Sequence, residues 1–259
     1  MASAALVPPE PDDGLLRSII EWSPVPLDRH RLRDRLLDLR REPWGDAAGD
    51  GALLRLTAAR TAVERLLLAT PDLEGSAPDL VLAAGGAWAA APGPAVALAL
   101  ADVVRRTGVS QYAFDAARLL GPIGTIVDEA ERRALLADLA EDLLVPLGSV
   151  AITAGLHRSG HPGSVTVESA VGRVELELAA GGLQLVDLPP GELATAEFAF
   201  RDPVVLGTRG RAFRAGVSGG LGGFLVDLRD VPLHLPERSE RRRELLASWQ
   251  AALWPELWG

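Results

Sequence analysis

The spacing of hydrophobic and polar positions changes period once along this chain, near residue 146. Before that point apolar residues recur mainly at helical intervals. Leu32, Leu36, Leu37 and Leu39 predict a helix over 27–41, opened by Asp28 as N-cap and stopped before Pro43. After a polar loop at 46–51, the residues Leu53, Leu56, Ala59, Ala62, Val63, Leu66 and Leu67 predict a second helix over 52–69. Leu80-Val81-Leu82-Ala83-Ala84-Gly85-Gly86, then Pro92-Gly93-Pro94 and a largely apolar run over 95–104, read as strand, tight turn and helix. A second strand is expected at Gln111–Asp115, a helical or irregular turn at 119–127, and another helix over 129–144. Helices alternating with two plausible parallel strands make an α/β pattern.

From Pro146 onward the period shortens. Seven β-rich segments, at 149–153, 164–168, 173–178, 183–188, 194–200, 212–217 and 224–228, are separated by turn signals. The turns fall at Gly160, Gly172, Gly181-Gly182, Pro189-Pro190-Gly191 and Gly219-Gly220, which predicts an antiparallel β-sandwich or barrel. A helix over 237–253 closes the chain, with Leu245, Leu246, Trp249 and Leu253 on one face. Trp254 and Trp258 follow, and these indoles are expected to dock back on the body. The fold class is therefore α+β. Residues 1–14 are expected to be a disordered leader, 15–145 an α/β region, 146–236 an all-β domain, and 237–259 a C-terminal helix with a Trp-rich tail.

Composition narrows the chemistry. The 259 residues are 48% hydrophobic and 24% charged, ample for a buried core. The formal net charge of −9 is the wrong sign for capturing nucleic acid or an anionic membrane, so neither is expected as a partner. Arginine supplies all the basic side chains, which excludes a Schiff-base or phosphate-loop lysine. There is no cysteine, hence no disulfide, thiol nucleophile or cysteine-ligated metal, a composition compatible with the cytoplasm. The arginines at 29, 31, 33 and 35, and Arg241-Arg242-Arg243, sit among acidic neighbours and read as solvated helix faces. The N-terminus lacks the pattern of a signal peptide, and the apolar stretch over 81–104 is too broken by glycine and proline to span a membrane.

Motifs for catalysis are sparse. Gly216-Val217-Ser218-Gly219-Gly220 matches G-x-S-x-G, but a strand rather than a helix is expected after it, so the turn reads as a hairpin. His157 and His161 are separated by Gly160 from any common helical face, His30 lies among surface arginines, and His234 is expected to face solvent. Asp227 and Asp230 look like paired carboxylates, although a turn after a strand favours Asp for its backbone hydrogen bonds. No catalytic or metal-binding residue is assigned. Paired glycines let a backbone approach a ligand closely, which suits either the adenosine side of a nucleotide site or a crowded strand-to-helix junction.

The order of these elements resembles the C-terminal half of glutamate mutase L-like proteins. The resemblance rests on the paired-glycine turn, the Pro-Gly-Pro helix opening, Phe114-Asp115-Ala116-Ala117-Arg118-Leu119-Leu120-Gly121-Pro122-Ile123-Gly124, Leu183–Gly191, Gly220–Asp227 and Leu235-Pro236-Glu237-Arg238. It covers roughly residues 15–250 as short motifs. The family belongs to the actin-like ATPase superfamily and is proposed to serve adenosylcobalamin-dependent mutases. The resemblance implies a partial ATPase lobe with Gly85 and Gly86 on the adenosine side of ATP or ADP. It also implies a protein partner: a separate phosphate-loop polypeptide or the mutase itself. The family's Asp-x-Gly-Thr-Thr-type phosphate loop is absent, and Ala83 and Ala84 stand where small polar residues or glycine are usual. The chain is thus expected to be a non-catalytic accessory or interaction protein rather than an enzyme. The alternative is a stand-alone β-domain interaction module with no nucleotide role.

Overall fold

The computed structural model describes residues 10–42, 45, 47–69, 77–156 and 160–258. Helix α1 (Asp13–Trp22) starts where the carboxylate of Asp12 accepts the Leu15 N–H at 2.7 Å. Residues 13 and 14, expected in a disordered leader, therefore form a capped helical turn, while 1–9 lie outside the described residues. Helix α2 (Arg29–Arg41) opens at Asp28 as expected, the Arg31 N–H reaching its carboxylate at 2.9 Å. Helix α3 (Gly49–Leu68) completes a small core with Leu15, Leu16 and Ile19 of α1 and Leu32 and Leu36 of α2.

Strand β1 (Leu80–Ala83) passes through a 3-10 turn (Gly86–Ala90) into α4 (Gly93–Val103), and β2 (Gly108–Phe114) returns beside it. The two strands pair in parallel, from Leu80 with Gln111 to Ala83 with Phe114. Three short helices follow: α5 (Leu120–Gly124), α6 (Glu129–Asp138) and α7 (Ala140–Leu143). The single helix expected over 129–144 is broken at Leu139, whose ψ of 5° leaves the helical region.

Seven further strands are β3 (Val145–Ile152), β4 (Gly163–Ser169), β5 (Arg173–Leu178), β6 (Leu183–Val186), β7 (Leu193–Leu206), β8 (Thr208–Ser218) and β9 (Phe224–Asp227). They do not form a β-domain of their own. A mixed five-stranded sheet runs β1-β2-β3-β9-β6, so the boundary expected at 146 falls inside it, where β2 pairs antiparallel with β3. The other four make an antiparallel sheet, β5-β4-β7-β8, and neither sheet closes into a barrel. Helix α8 (Ser239–Leu253), followed by a 3-10 turn (Pro255–Leu257), gives the expected α+β class with a C-terminal helix.

The layers follow from which faces are apolar. Helices α3, α4 and α8 cover one face of the mixed sheet, packing Leu56, Leu98, Leu246 and Trp249 against Val81, Tyr112, Val150 and Leu225. The second sheet covers the other face, where Phe198 meets Phe224 edge-on at 6.5 Å and stacks with Phe200 at 6.0 Å. Strand β9 is sandwiched between both layers, which is why Phe224-Leu225-Val226 is a continuous apolar run. Trp249 and Trp254 are buried in the body, as docking of the C-terminal helix requires, whereas Trp258 stays partly exposed. Among the described residues, no helix is long and apolar enough to cross a membrane.

Candidate functional site

The C-terminal edge of the parallel pair β1–β2 brings the paired glycines together with a cation. Past Ala83 the Ala84 carbonyl accepts the Trp88 indole N–H at 3.2 Å, holding the turn closed. Gly85 then adopts φ 106° and ψ 150°, a conformation that side chains rarely permit. Next door, β2 runs into Asp115, a buried carboxylate that accepts the N–H groups of Leu119 at 3.0 Å and Leu120 at 3.1 Å. The loop so fixed carries Arg118 over the glycine turn: a Cβ on Gly86 would sit 2.8 Å from Arg118 Cζ. Gly86 is the bare floor under an exposed guanidinium. Ligands of open α/β sheets collect at such carboxyl ends of strands. The glycines were visible as a pair in the sequence; Arg118 was not singled out, because only the fold carries its loop across to β1.

The second glycine-rich stretch has a different use. In Gly219–Gly223 every backbone N–H donates to a carbonyl: Gly219 to Glu192, Gly220 to Leu188, Leu221 to Pro146, Gly222 to Leu147 and Gly223 to Gly220. Gly148, at φ 107°, presses against the Gly223 carbonyl, and no Cβ fits there. With its amides spent, this loop is a packing joint and not a phosphate cradle. It also corrects the hairpin expected after Ser218, since β8 and β9 belong to different sheets. Ser218 takes the Ser149 hydroxyl as its partner, N–H to Oγ at 2.8 Å and Oγ to Oγ at 3.3 Å, and no helix follows it. That is not a nucleophile elbow.

A buried ion network joins the helical layer to the end of β9. Arg105 binds Asp227 through its two terminal guanidinium nitrogens, at 2.8 and 3.2 Å, and Arg229 binds it at 2.6 and 2.9 Å. Arg229 also reaches Asp102 at 2.7 Å. Beyond Asp102, Arg60 pairs with Glu64 at 3.1 and 3.2 Å and lies 3.1 Å from the centre of the Trp22 ring. Burial alone would push the Asp227 carboxyl up, but the charge of Arg229, then its hydrogen bonds and those of Arg105, hold it well below the usual carboxylate range. Burial would likewise lower Arg229, and Asp102 and Asp227 raise it instead. Tyr112, buried beside the network, has its phenol pushed up by burial and then by Asp227.

The turn reading of Asp227 is therefore corrected, because its carboxylate is the hub of this network. Asp230 does behave as a turn residue, with φ 66° and its carboxylate accepting the Gly155 and Val231 N–H groups at 2.9 Å each. Arg229 stands two residues from Asp227, but the second partner, Arg105, follows α4 at a separation of 122 residues, so local pattern could not reveal the network.

His30 and His234 are exposed, and His161 Nδ1 lies 3.7 Å from the exposed Glu177 carboxylate. His157 lies outside the described residues. Among the described residues no group of three or more histidine and acidic side chains is placed to hold a metal ion. No protein-family model, curated protein or solved structure matches this chain.

Proposed function

We propose that the chain is a non-catalytic accessory protein of the glutamate mutase L kind, which takes the adenosine end of ADP or ATP at Gly85 and Gly86. The observation that supports this reading is the bare Gly85–Gly86 backbone at the carboxyl ends of β1 and β2, with the Arg118 guanidinium above it. The guanidinium packed on Gly86 is itself a flat surface on which a purine stacks. The phosphates have no corresponding cradle in Gly219–Gly223, whose amides are committed to carbonyls. A separate polypeptide supplies the phosphate loop, or the mutase itself is the partner, in a cytoplasmic setting.

Affinity purification of the tagged chain from its native cells tests the partner. Recovery of an adenosylcobalamin-dependent mutase, or of a polypeptide carrying an Asp-x-Gly-Thr-Thr-type loop, is the expected result; elution of the chain alone contradicts it. The isolated chain is expected to show no magnesium-dependent ATP turnover, and robust turnover abolished by Gly86→Trp would defeat the non-catalytic reading.

A second reading, an interaction module without nucleotide, is favoured by one feature. Among the described residues, strand β1 is an edge of the mixed sheet, and its Leu80 and Leu82 are 48% and 38% exposed. Unpaired edges with apolar side chains are templates for strand addition by a partner.

A further inference from the structure

Where α1, α3, α4 and α8 meet, the ion network ends at a crevice lined by Trp22, Arg60, Asp102, Trp249 and Gln250, among others. Its cavity measures about 20 Å³. That is enough for one water molecule, whose centre needs roughly 10–15 Å³, and too little for a larger guest. Two buried polar atoms of the lining residues, Arg60 Nε and Gln250 Oε1, have no hydrogen-bond partner among the described residues. The Arg60 side chain is only 5% exposed, so bulk water does not satisfy its Nε–H. Asp102 Oδ2 stands 3.7 Å from that nitrogen, beyond a direct hydrogen bond but within the span of one bridging molecule.

Charge selects the guest. Arg60, Arg105 and Arg229 are matched in this network by Glu64, Asp102 and Asp227, so the crevice is electrically neutral. Inserting a cation or an anion would break that balance in a desolvated place, whereas a neutral dipole leaves it intact. The lining is also too polar to stay dry, unlike an aliphatic cavity.

We infer that this crevice is a binding site for one ordered water. The water accepts the Arg60 Nε–H and donates its two hydrogens to Gln250 Oε1 and Asp102 Oδ2. It extends the network to α8, which contributes no charge to it.

Nuclear Overhauser spectra of the intact protein with Arg side-chain assignments test the site. The expected result is a cross-peak from the Arg60 Nε–H to water, with the sign of a long-lived bound molecule rather than of exchange. Gln250→Leu removes an acceptor and should abolish that cross-peak while leaving those of surface arginines unchanged. Absence of the cross-peak in the wild type, or its survival in Gln250→Leu, overturns the assignment. A crystal structure under xenon pressure gives an independent reading that needs no variant: water in the crevice supports the site, and xenon there overturns it.

Discussion

At the scale of single residues, Asp227 bears the largest electrostatic load. Its carboxylate is fully buried and held by two guanidiniums, so removing its charge strands Arg105 and leaves Arg229 with Asp102 alone. Breaking one side of a buried pair in this way costs about 3–5 kcal/mol. Asp227→Asn should show that loss in urea unfolding at neutral pH. The same residue gives stability a pH dependence. Its folded pKa is depressed, so its contribution is complete above the unfolded value of about 3.9 and is lost as pH falls toward the folded value. Across that window the wild type should lose about 1.4 kcal/mol per pH unit from this group. In Asp227→Asn that part of the acid slope should vanish; an unchanged slope would mean that other carboxylates produce it.

At the scale of elements, α8 is held by a few large contacts. Trp249 packs into the main core and lies 4.5 Å from the Arg229 guanidinium, so it shields the ion network as well as filling space. Trp249→Ala should cost about 3–5 kcal/mol, measured by chemical denaturation. A loss under about 1 kcal/mol would mean that α8 is peripheral to the cooperative fold. Elements were also what the sequence conveyed best. Asp28 marked the start of α2, the alternation over 173–178 marked β5, and the glycine pair marked the end of β1, because each signal is local. Pairings across the chain were not visible. Strand β9 reads like its neighbours in sequence, yet it leaves the second sheet and runs parallel to β3. Likewise Asp102 sits in a helix of apolar neighbours, and nothing near it in sequence announces Arg229 as its partner.

At the scale of the whole molecule, the mixed sheet makes one unit of what the period change divided in two. Strands β3, β9 and β6 complete a sheet begun by β1 and β2, and β9 supplies core residues to both sides. Residues 146–236 expressed alone should therefore fail to fold, showing no protected amides in hydrogen exchange; a cooperative transition from that fragment would restore the two-domain division. That single body presents the Gly85–Gly86 edge on which the proposed function rests. Thermal unfolding with and without ADP tests that claim most directly, because a ligand bound by the folded state alone must stabilise it. The wild type should gain roughly 3–6 °C at ten times Kd. Gly86→Val, which puts a branched side chain under Arg118, should unfold near the same temperature as the unliganded wild type and gain nothing from ADP. No rise in the wild type at millimolar ADP, or an equal rise in both proteins, would contradict an adenosine site at this turn.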